Sequence, residues 1–223
     1  MTGRSQVITA IKLAAGSVGP QLSLRIPEFE NHFLRPVPTC AAQIDRQDVE
    51  CLTRWRNLHP RAFLTEFTAT PERTTRWLVE CVGIDETRVL FMLEDHQGTR
   101  MGYMGLAFID WGGSYVEADA VVSGGQTPRG LMRAALCTMI DWARGALGLA
   151  RIGVRVLSDN PALGFYQRMG FVEEARVPLV CEARSGMVMW RMAPELPHAE
   201  RCLVFHRLTQ RATPNCNHQE SER

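Results

Sequence analysis

The sequence is poor in several things, and each shortage excludes a class of protein. Lysine is nearly missing: Lys12 is the only one, and every other basic side chain is arginine, a bias of coding rather than of chemistry. An excess of charge of either sign is also missing, since 25 basic and 24 acidic residues leave a formal +1. That argues against a dedicated nucleic-acid or membrane-surface binder, whose footprint is a strong basic surplus. No stretch approaches the roughly 20 apolar residues that span a bilayer. The N-terminal "VITAIKLAAGSVG" is interrupted by Lys12 and only weakly hydrophobic, so it is not read as a secretory signal. Cysteines at 40, 51, 81, 137, 181, 202 and 216 are odd in number, scattered and without a C-x-x-C pair. They fit neither a disulfide framework nor a zinc site and are expected to be small buried hydrophobes in a reducing cytoplasm. The six histidines have no ligand spacing, so no metal is expected.

What is present is an ordinary globular core. With 223 residues and 45% hydrophobic side chains, the chain suits one domain with extensions. Residues 1–31 lack a clear period and contain Gly16, Gly19, Pro20 and Pro27, so they read as an N-terminal extension. Residues 32–210 alternate strand and helix patterns, and 211–223 form a polar tail. "HFLRPV" is a strand. "DRQDVECLTRWRN" is a helix capped by Asp45, and "TPERTTRWLVECVG" a helix capped by Thr70 with Pro71 in its first turn and Gly83 at its end. "RVLFMLED" and "MGYMGLAFID" form a hairpin through "HQGT", and "SYVEADAVVS" is the next strand. "LMRAALCTMIDWARGAL" carries Met132, Ala135, Met139, Trp142 and Ala146 at helical spacing. "RIGVRVL", "FVEEARVPLVC", "MVMWRM" and "RCLVFHRLT" follow as strands. The order implies an α/β (α+β) domain, a mixed sheet with helices on its faces.

One stretch needs more than a structural account. In "SDNPALGFYQRMGF", Asn160 is a natural N-cap, Pro161 belongs at the first helical position, and Gly170 supplies a left-handed stop. Ala162, Phe165, Tyr166 and Met169 make an apolar stripe. Tyr166 puts a phenol on or beside that stripe, and a buried hydroxyl wants a partner. Alone, this is a core tyrosine bonded to a carbonyl. With a strand and helix before it, however, the stretch resembles the C-terminal motif of the GNAT superfamily of N-acetyltransferases, N-x-x-A-x-x-F-Y-x-x-x-G-F. Asn160, Phe165, Tyr166, Gly170 and Phe171 match, Leu163 replaces the alanine, and Ala162 lies one place earlier. "LTRWRN", "ERTTRWL" and "MGYMGL" resemble other parts of the same family, and the resemblance covers about residues 33 to 208.

The resemblance implies a GNAT fold, a mixed, mostly antiparallel six- to seven-stranded sheet flanked by helices, with acetyl-CoA as acyl donor. Its cofactor loop, [RQ]-x-x-G-x-[GA], falls on "TPRGLM": Gly130 takes the first glycine, Thr127 the basic or Gln position and Met132 the small-residue position. A helix start offers unpaired N–H donors and a positive dipole end, which suits a pyrophosphate. Thr127, Arg129, Gly130, Leu131, Met132 and Arg133 are therefore implied cofactor contacts, with Arg129 and Arg133 adding charge. Val121, Val122 and Ser123 are implied at the thioester, where a backbone N–H would hold its oxygen, with Asn160 and Phe165 beside the cofactor. Tyr166 would protonate the departing thiolate.

Along "YVEADAVVS", alternation puts Val116, Ala118, Ala120 and Val122 on one face and Glu117, Asp119 and Val121 on the other. The two carboxylates are either a solvated pair or the base that deprotonates the acceptor amine, Glu117 ahead of Asp119. The expected protein is a cytoplasmic acyltransferase that moves an acetyl group directly onto a primary amine of a small metabolite, amino sugar or amino-acid-like. It needs neither nucleic acid nor membrane as partner, and a homodimer is compatible with it. A GNAT-fold acyl-CoA-binding scaffold without catalysis is the alternative. A toxin acetylating aminoacyl-tRNA is disfavoured by the neutral charge.

Overall fold

The computed structural model describes residues 5–15 and 22–209. The polar tail expected at 211–223 lies outside the described residues. One ten-stranded order carries the fold, in chain numbering β1-β2-β4-β5-β6-β7-β10-β8-β9-β3. The strands are β1 (Leu24–Arg25), β2 (His32–Pro36), β3 (Thr65–Glu66), β4 (Val89–Asp95), β5 (Arg100–Asp110), β6 (Tyr115–Ser123), β7 (Arg151–Leu157), β8 (Phe171–Arg184), β9 (Met187–Met192) and β10 (Cys202–Leu208). The excess over six to seven includes β1 and β3, two residues each, too short to leave a periodic signature. The helices are α1 (Ser5–Ala14), α2 (Arg46–Leu58), α3 (Pro71–Trp77), α4 (Leu131–Gly145) and α5 (Leu163–Arg168).

Two apolar layers enclose the sheet. The near layer lies under α4 and α5 and holds Phe91, Met104, Leu131, Met139, Tyr166 and Phe171. The far layer lies under α2 and α3 and holds Leu52, Trp55, Leu78, Leu90, Met92 and Tyr103. β4 contributes to both, Val89, Phe91 and Leu93 to one and Leu90 and Met92 to the other, so its sequence is a continuous apolar run rather than an alternation.

The capping predictions hold for two helices. The Asp45 carboxylate accepts from the N–H groups of Gln47 and Asp48 at the start of α2, and the Thr70 hydroxyl accepts from Arg73 N–H at the start of α3. α3 continues to Gly83 as a wider π turn. α5 begins later than expected. The Asn160 side chain accepts from Ala162 N–H at 2.9 Å and its carbonyl from Leu163 N–H at 3.1 Å, so residues 160–162 form a turn before the helix. The N-terminal extension contains a helix, α1, that its small residues disguised: Ile8 is fully buried in the near layer. The cysteines depart from expectation too. Cys40, Cys81 and Cys181 are exposed, and Cys51, Cys137 and Cys202 only half buried, because they sit on the outward sides of loops, helices and the β8–β9 hairpin.

Buried charge joins α2 to the sheet. Asp48, 1% exposed, accepts from Arg35 Nη2 at 2.8 Å and from Arg100 Nε at 2.6 Å. Arg35 also holds Glu94 at 2.9 Å. The sole lysine is spent similarly: its ammonium donates to the carbonyls of Val82, Gly83 and Asp85, tying α1 to the end of the α3 segment.

Two stability tests follow from these contacts. Asp48→Ala removes the acceptor shared by two guanidiniums, which keep Glu94 and Asp45, and is expected to cost about 1.5–3 kcal/mol in urea unfolding, whereas Glu50→Ala, which breaks an exposed pair with Arg46, leaves the midpoint nearly unchanged. Burial, opposed in part by Asp85, pushes the Lys12 ammonium down from 10.5 to about 8. Below that pH both folded and unfolded chains hold the proton. As pH rises from about 8 towards 10.5 the folded chain has released it and the unfolded chain has not, so stability relative to Lys12→Met rises across that window.

Candidate active site

Among the described strands, β6 and β7 form the one parallel pair, and it is short. Tyr115 to Ala118 pair with Arg151 to Val154, and there the ladder stops. Beyond it β6 stays with β5 as far as Ser123, and β7 stays with β10 as far as Leu157. The strands diverge, leaving a wedge whose walls are backbone polar groups without a strand partner across it. Such groups call for a hydrogen-bonding guest or water.

A bulge sharpens the wedge. Gly105 pairs with Asp119 and Tyr103 with Val122, so β6 has one residue more than β5 between them. Ala120 takes φ 52°, unusual for a non-glycine residue. The bulge overturns the simple alternation expected for this strand. Val116, Ala118 and Val121 contact the near layer, while Ala120 and Val122 belong to the far one. The register gives Ala120 and Val121 no residue pair on β5.

The loop that follows β6 is built for close approach. A Cβ on Gly124 would come within 2.6 Å of both the Trp55 ring and the Met101 carbonyl, so glycine is required there. Thr127 gives its hydroxyl to the fold, donating to Met101 O at 3.0 Å and lying 2.9 Å from the Ser123 hydroxyl. Gly130 occupies the left-handed region at φ 88° and is the N-cap of α4. Leu131 N–H is taken by Pro128 O, whereas the amides of Gln126, Thr127, Arg129 and Gly130 make no hydrogen bond to a described residue. Arg129 and Arg133 are exposed on either side. Met132 turns inward, packing on the near layer with its sulfur beside Gly102. A bulky residue at a small-residue position thus leaves the loop's donors open. Leu131 is fully buried and acts as the helix's anchor.

Tyr166 stands on α5, edge-on between Phe165 at 5.3 Å and Phe171 at 5.7 Å. It is 5% exposed, yet its hydroxyl is neither bonded to a described residue nor sealed among the buried polar atoms. Burial, and then the charge of Asp119, pushes this phenol up, so it keeps its proton at neutral pH. Asn160 is committed to the turn ahead of α5.

The two carboxylates of β6 differ. Glu117 is 5% exposed and has both oxygens occupied, one by the Tyr115 hydroxyl at 2.9 Å and the other by Arg155 Nε. Asp119 has a side chain 36% exposed, 3.7 Å from Arg88 Nη1. It acts on Tyr166 from one layer and on Tyr103 from the other.

Sequence reasoning missed Tyr103, Arg88 and Arg155. Tyr103 was marked only by being the phenol in an apolar strand. It is 3% exposed and stacked on Trp55 at 6.1 Å. Arg155 was legible as the charged residue opposite Ile152, Val154 and Val156 in "RIGVRVL". A separate cavity of about 450 Å3 lies between the α2–α3 connection and the β8–β9 hairpin, lined by Asn57, Glu66, Phe67 and Met187 among others. None of the expected site residues lines it. Its wall is pinned by Arg201, which joins Glu66 and Asp159, each at 2.8 Å.

The parted parallel strands, the bulge in β6 and the open start of α4 leave backbone donors without partners among the described residues. Residues 52–171, more than half of the chain, match the family model for the acetyltransferase (GNAT) family. The chain belongs to that family, and it is an acyltransferase by membership. No curated protein sequence matches it. Solved structures with the same fold include a spermidine N-acetyltransferase from Vibrio cholerae in complex with CoA and spermine, at 18% identity and TM-score 0.59 over 79% of this chain and 94% of that one. A probable GNAT-family acetyltransferase from Chromobacterium violaceum shows 17% identity and TM-score 0.59 over 86% and 93%. A related N-acetyltransferase from Brucella melitensis shows 16% identity and TM-score 0.56 over 79% and 75%. Among the described residues no helix is long and apolar enough to cross a membrane.

The strain at Ala120 can be measured apart from any activity. Ala120→Gly is expected to leave thermal stability unchanged or raised. Ala120→Val, a β-branched residue at positive φ, should lower it by about 1–2 kcal/mol or more.

Proposed function

We propose that the chain transfers an acetyl group from acetyl-CoA directly onto the primary amine of a small metabolite, amino sugar or amino-acid-like. The observation that supports this reading most is the β6–β7 wedge, in a fold that also offers open amides around Gly130 and an unbonded Tyr166 hydroxyl. The residues present suit acetyl-CoA as donor substrate. Gln126, Thr127, Arg129 and Gly130 offer N–H donors for the pyrophosphate, and Arg129 and Arg133 supply charge. The wedge admits the thioester arm, and an N–H at Val121 or Val122 would receive the thioester oxygen. That the similar structures include amine N-acetyltransferases supports an amine acceptor in general terms.

In this reading Asp119 takes the ammonium proton so that a neutral amine attacks. Asp119 is preferred over Glu117 because its carboxylate is partly open, whereas both oxygens of Glu117 already hold donors. Tyr166, its proton retained by burial, gives that proton to the departing thiolate. No covalent intermediate on the protein is required.

Thiol release from acetyl-CoA with an amine panel tests the reading. Tyr166→Phe should lower kcat about a hundredfold or more and leave the KM for acetyl-CoA within twofold or so. Asp119→Asn should lower kcat by a similar factor, with rate recovered as pH rises and free amine becomes available. Unchanged turnover in Tyr166→Phe removes the acid role. CoA binding in calorimetry without thiol release on any amine of the panel would favour the acyl-CoA-binding scaffold.

A further inference from the structure

Two arginines on the far side of the wedge are held in place without being satisfied. Arg155, on β7, lies flat over the Phe108 ring at 3.7 Å, with Phe205 at 5.6 Å. Its Nε is bonded to Glu117, and its two terminal nitrogens make no hydrogen bond to a described residue. Its side chain is 24% exposed, so these N–H groups are reachable. Arg88, one residue before β4, approaches the same ring at 5.8 Å. Its contacts with Asp85 at 3.6 Å and Asp119 at 3.7 Å are too long for hydrogen bonds, and its Nε is buried with no partner. Asp85 is meanwhile engaged by the Thr87 amide and hydroxyl.

The ring between them is itself unusual. Phe108 is 46% exposed and sits at φ 56°, in the β5 bulge between Ala107 and Asp110. A bulky residue in that backbone region is strained, and strain of this kind persists where the surroundings impose it. Here it presents a partly open ring that has the Arg155 guanidinium at 3.7 Å and that of Arg88 at 5.8 Å. Carboxylates stand close to both guanidiniums, Glu117 on Arg155 and Asp85 and Asp119 beside Arg88. The feature that selects a ligand is therefore the set of fixed, unfilled N–H donors rather than a net field. A planar fork with free terminal nitrogens matches a carboxylate or a phosphate.

The geometry points to an acceptor amine that carries an anionic group, a carboxylate or a phosphate, bound by Arg155 and Arg88 beside Phe108. This rests on the acetyl-transfer reading of the same cleft. Both arginines are attached to the candidate base pair, Arg155 through Glu117 and Arg88 towards Asp119, so an anion held there brings a neighbouring amine to the proton acceptor. A polyamine would bring only positive charge to two guanidiniums whose remaining N–H groups need acceptors.

The test uses the full chain, acetyl-CoA and matched amines: 5-aminopentanoate against pentylamine, glucosamine 6-phosphate against glucosamine, and spermidine. The anionic member of at least one pair should be preferred by about tenfold or more in kcat/KM, and which pair responds separates carboxylate from phosphate. Arg88→Gln should lower that within-pair preference roughly tenfold. Arg155→Lys, which keeps the charge and loses the fork, should lower it as well, and melting curves of both variants establish that they fold. Equal rates within both pairs, a preference for spermidine, or a preference untouched in Arg88→Gln overturns the inference while the transfer reading stands. Failure of the wild-type chain to bind acetyl-CoA in calorimetry overturns both.

Discussion

Everything in the cleft depends on two adjacent strands parting company. A parallel pair that stayed in register beyond Ala118 and Val154 would use its own backbone groups and leave nothing for a ligand. Each strand instead keeps its other neighbour, β5 for β6 and β10 for β7, and the sheet's right-handed twist pulls the two apart. The extra residue at Ala120 fixes where this happens. It moves Val121 to the near layer and Ala120 and Val122 to the far one, so the strand presents backbone where a regular strand would present side chains. Donors, phenol and carboxylate are useful only because they surround this opening.

The two sides of the opening are chemically unlike. The near side is the cofactor-like side, with an open helix start, small residues and an aromatic layer ending in Tyr166. The far side carries charge: Glu117, Asp119, Arg88 and Arg155 over an exposed phenyl ring. The burial that keeps the Tyr166 proton in place also keeps Tyr103 protonated on the other side, and Asp119 reinforces both. Thr127, at the loop position where the family resemblance expects a basic residue or Gln, ties the loop to β5 instead, so in the proposed reading the anion is left to backbone amides and flanking arginines.

Much of this was readable in the sequence because local rules and tertiary demands agree. Asp45 and Thr70 cap the helices they were expected to cap, and α4 follows its apolar period. The chain resembled the family through the Asn160-to-Phe171 stretch, which lies almost wholly inside the matched region. The failures have physical causes. A bulge is a register event between two strands, and nothing in "YVEADAVVS" announces it. α1 was hidden by a glycine- and alanine-rich context and by Lys12, whose charge looked like an interruption and is a cap for another helix end. The cysteines were assigned from average burial, and of the six described three are exposed while Cys51 and Cys137 only flank the apolar layers. Arg88 and Arg155 draw their meaning from Phe108, which is distant from each in sequence and strained in a way only coordinates reveal.

The central claim is that the β6–β7 wedge and the loop at its mouth together receive the thioester arm and pyrophosphate of CoA. Amide hydrogen exchange of the full chain, with and without CoA, addresses it without any assumption about the acceptor. The account predicts slowed exchange in peptides spanning residues 119–133 and 155–157, with the β8–β9 hairpin unaffected. Protection confined to other segments, or none at saturating CoA, would contradict it.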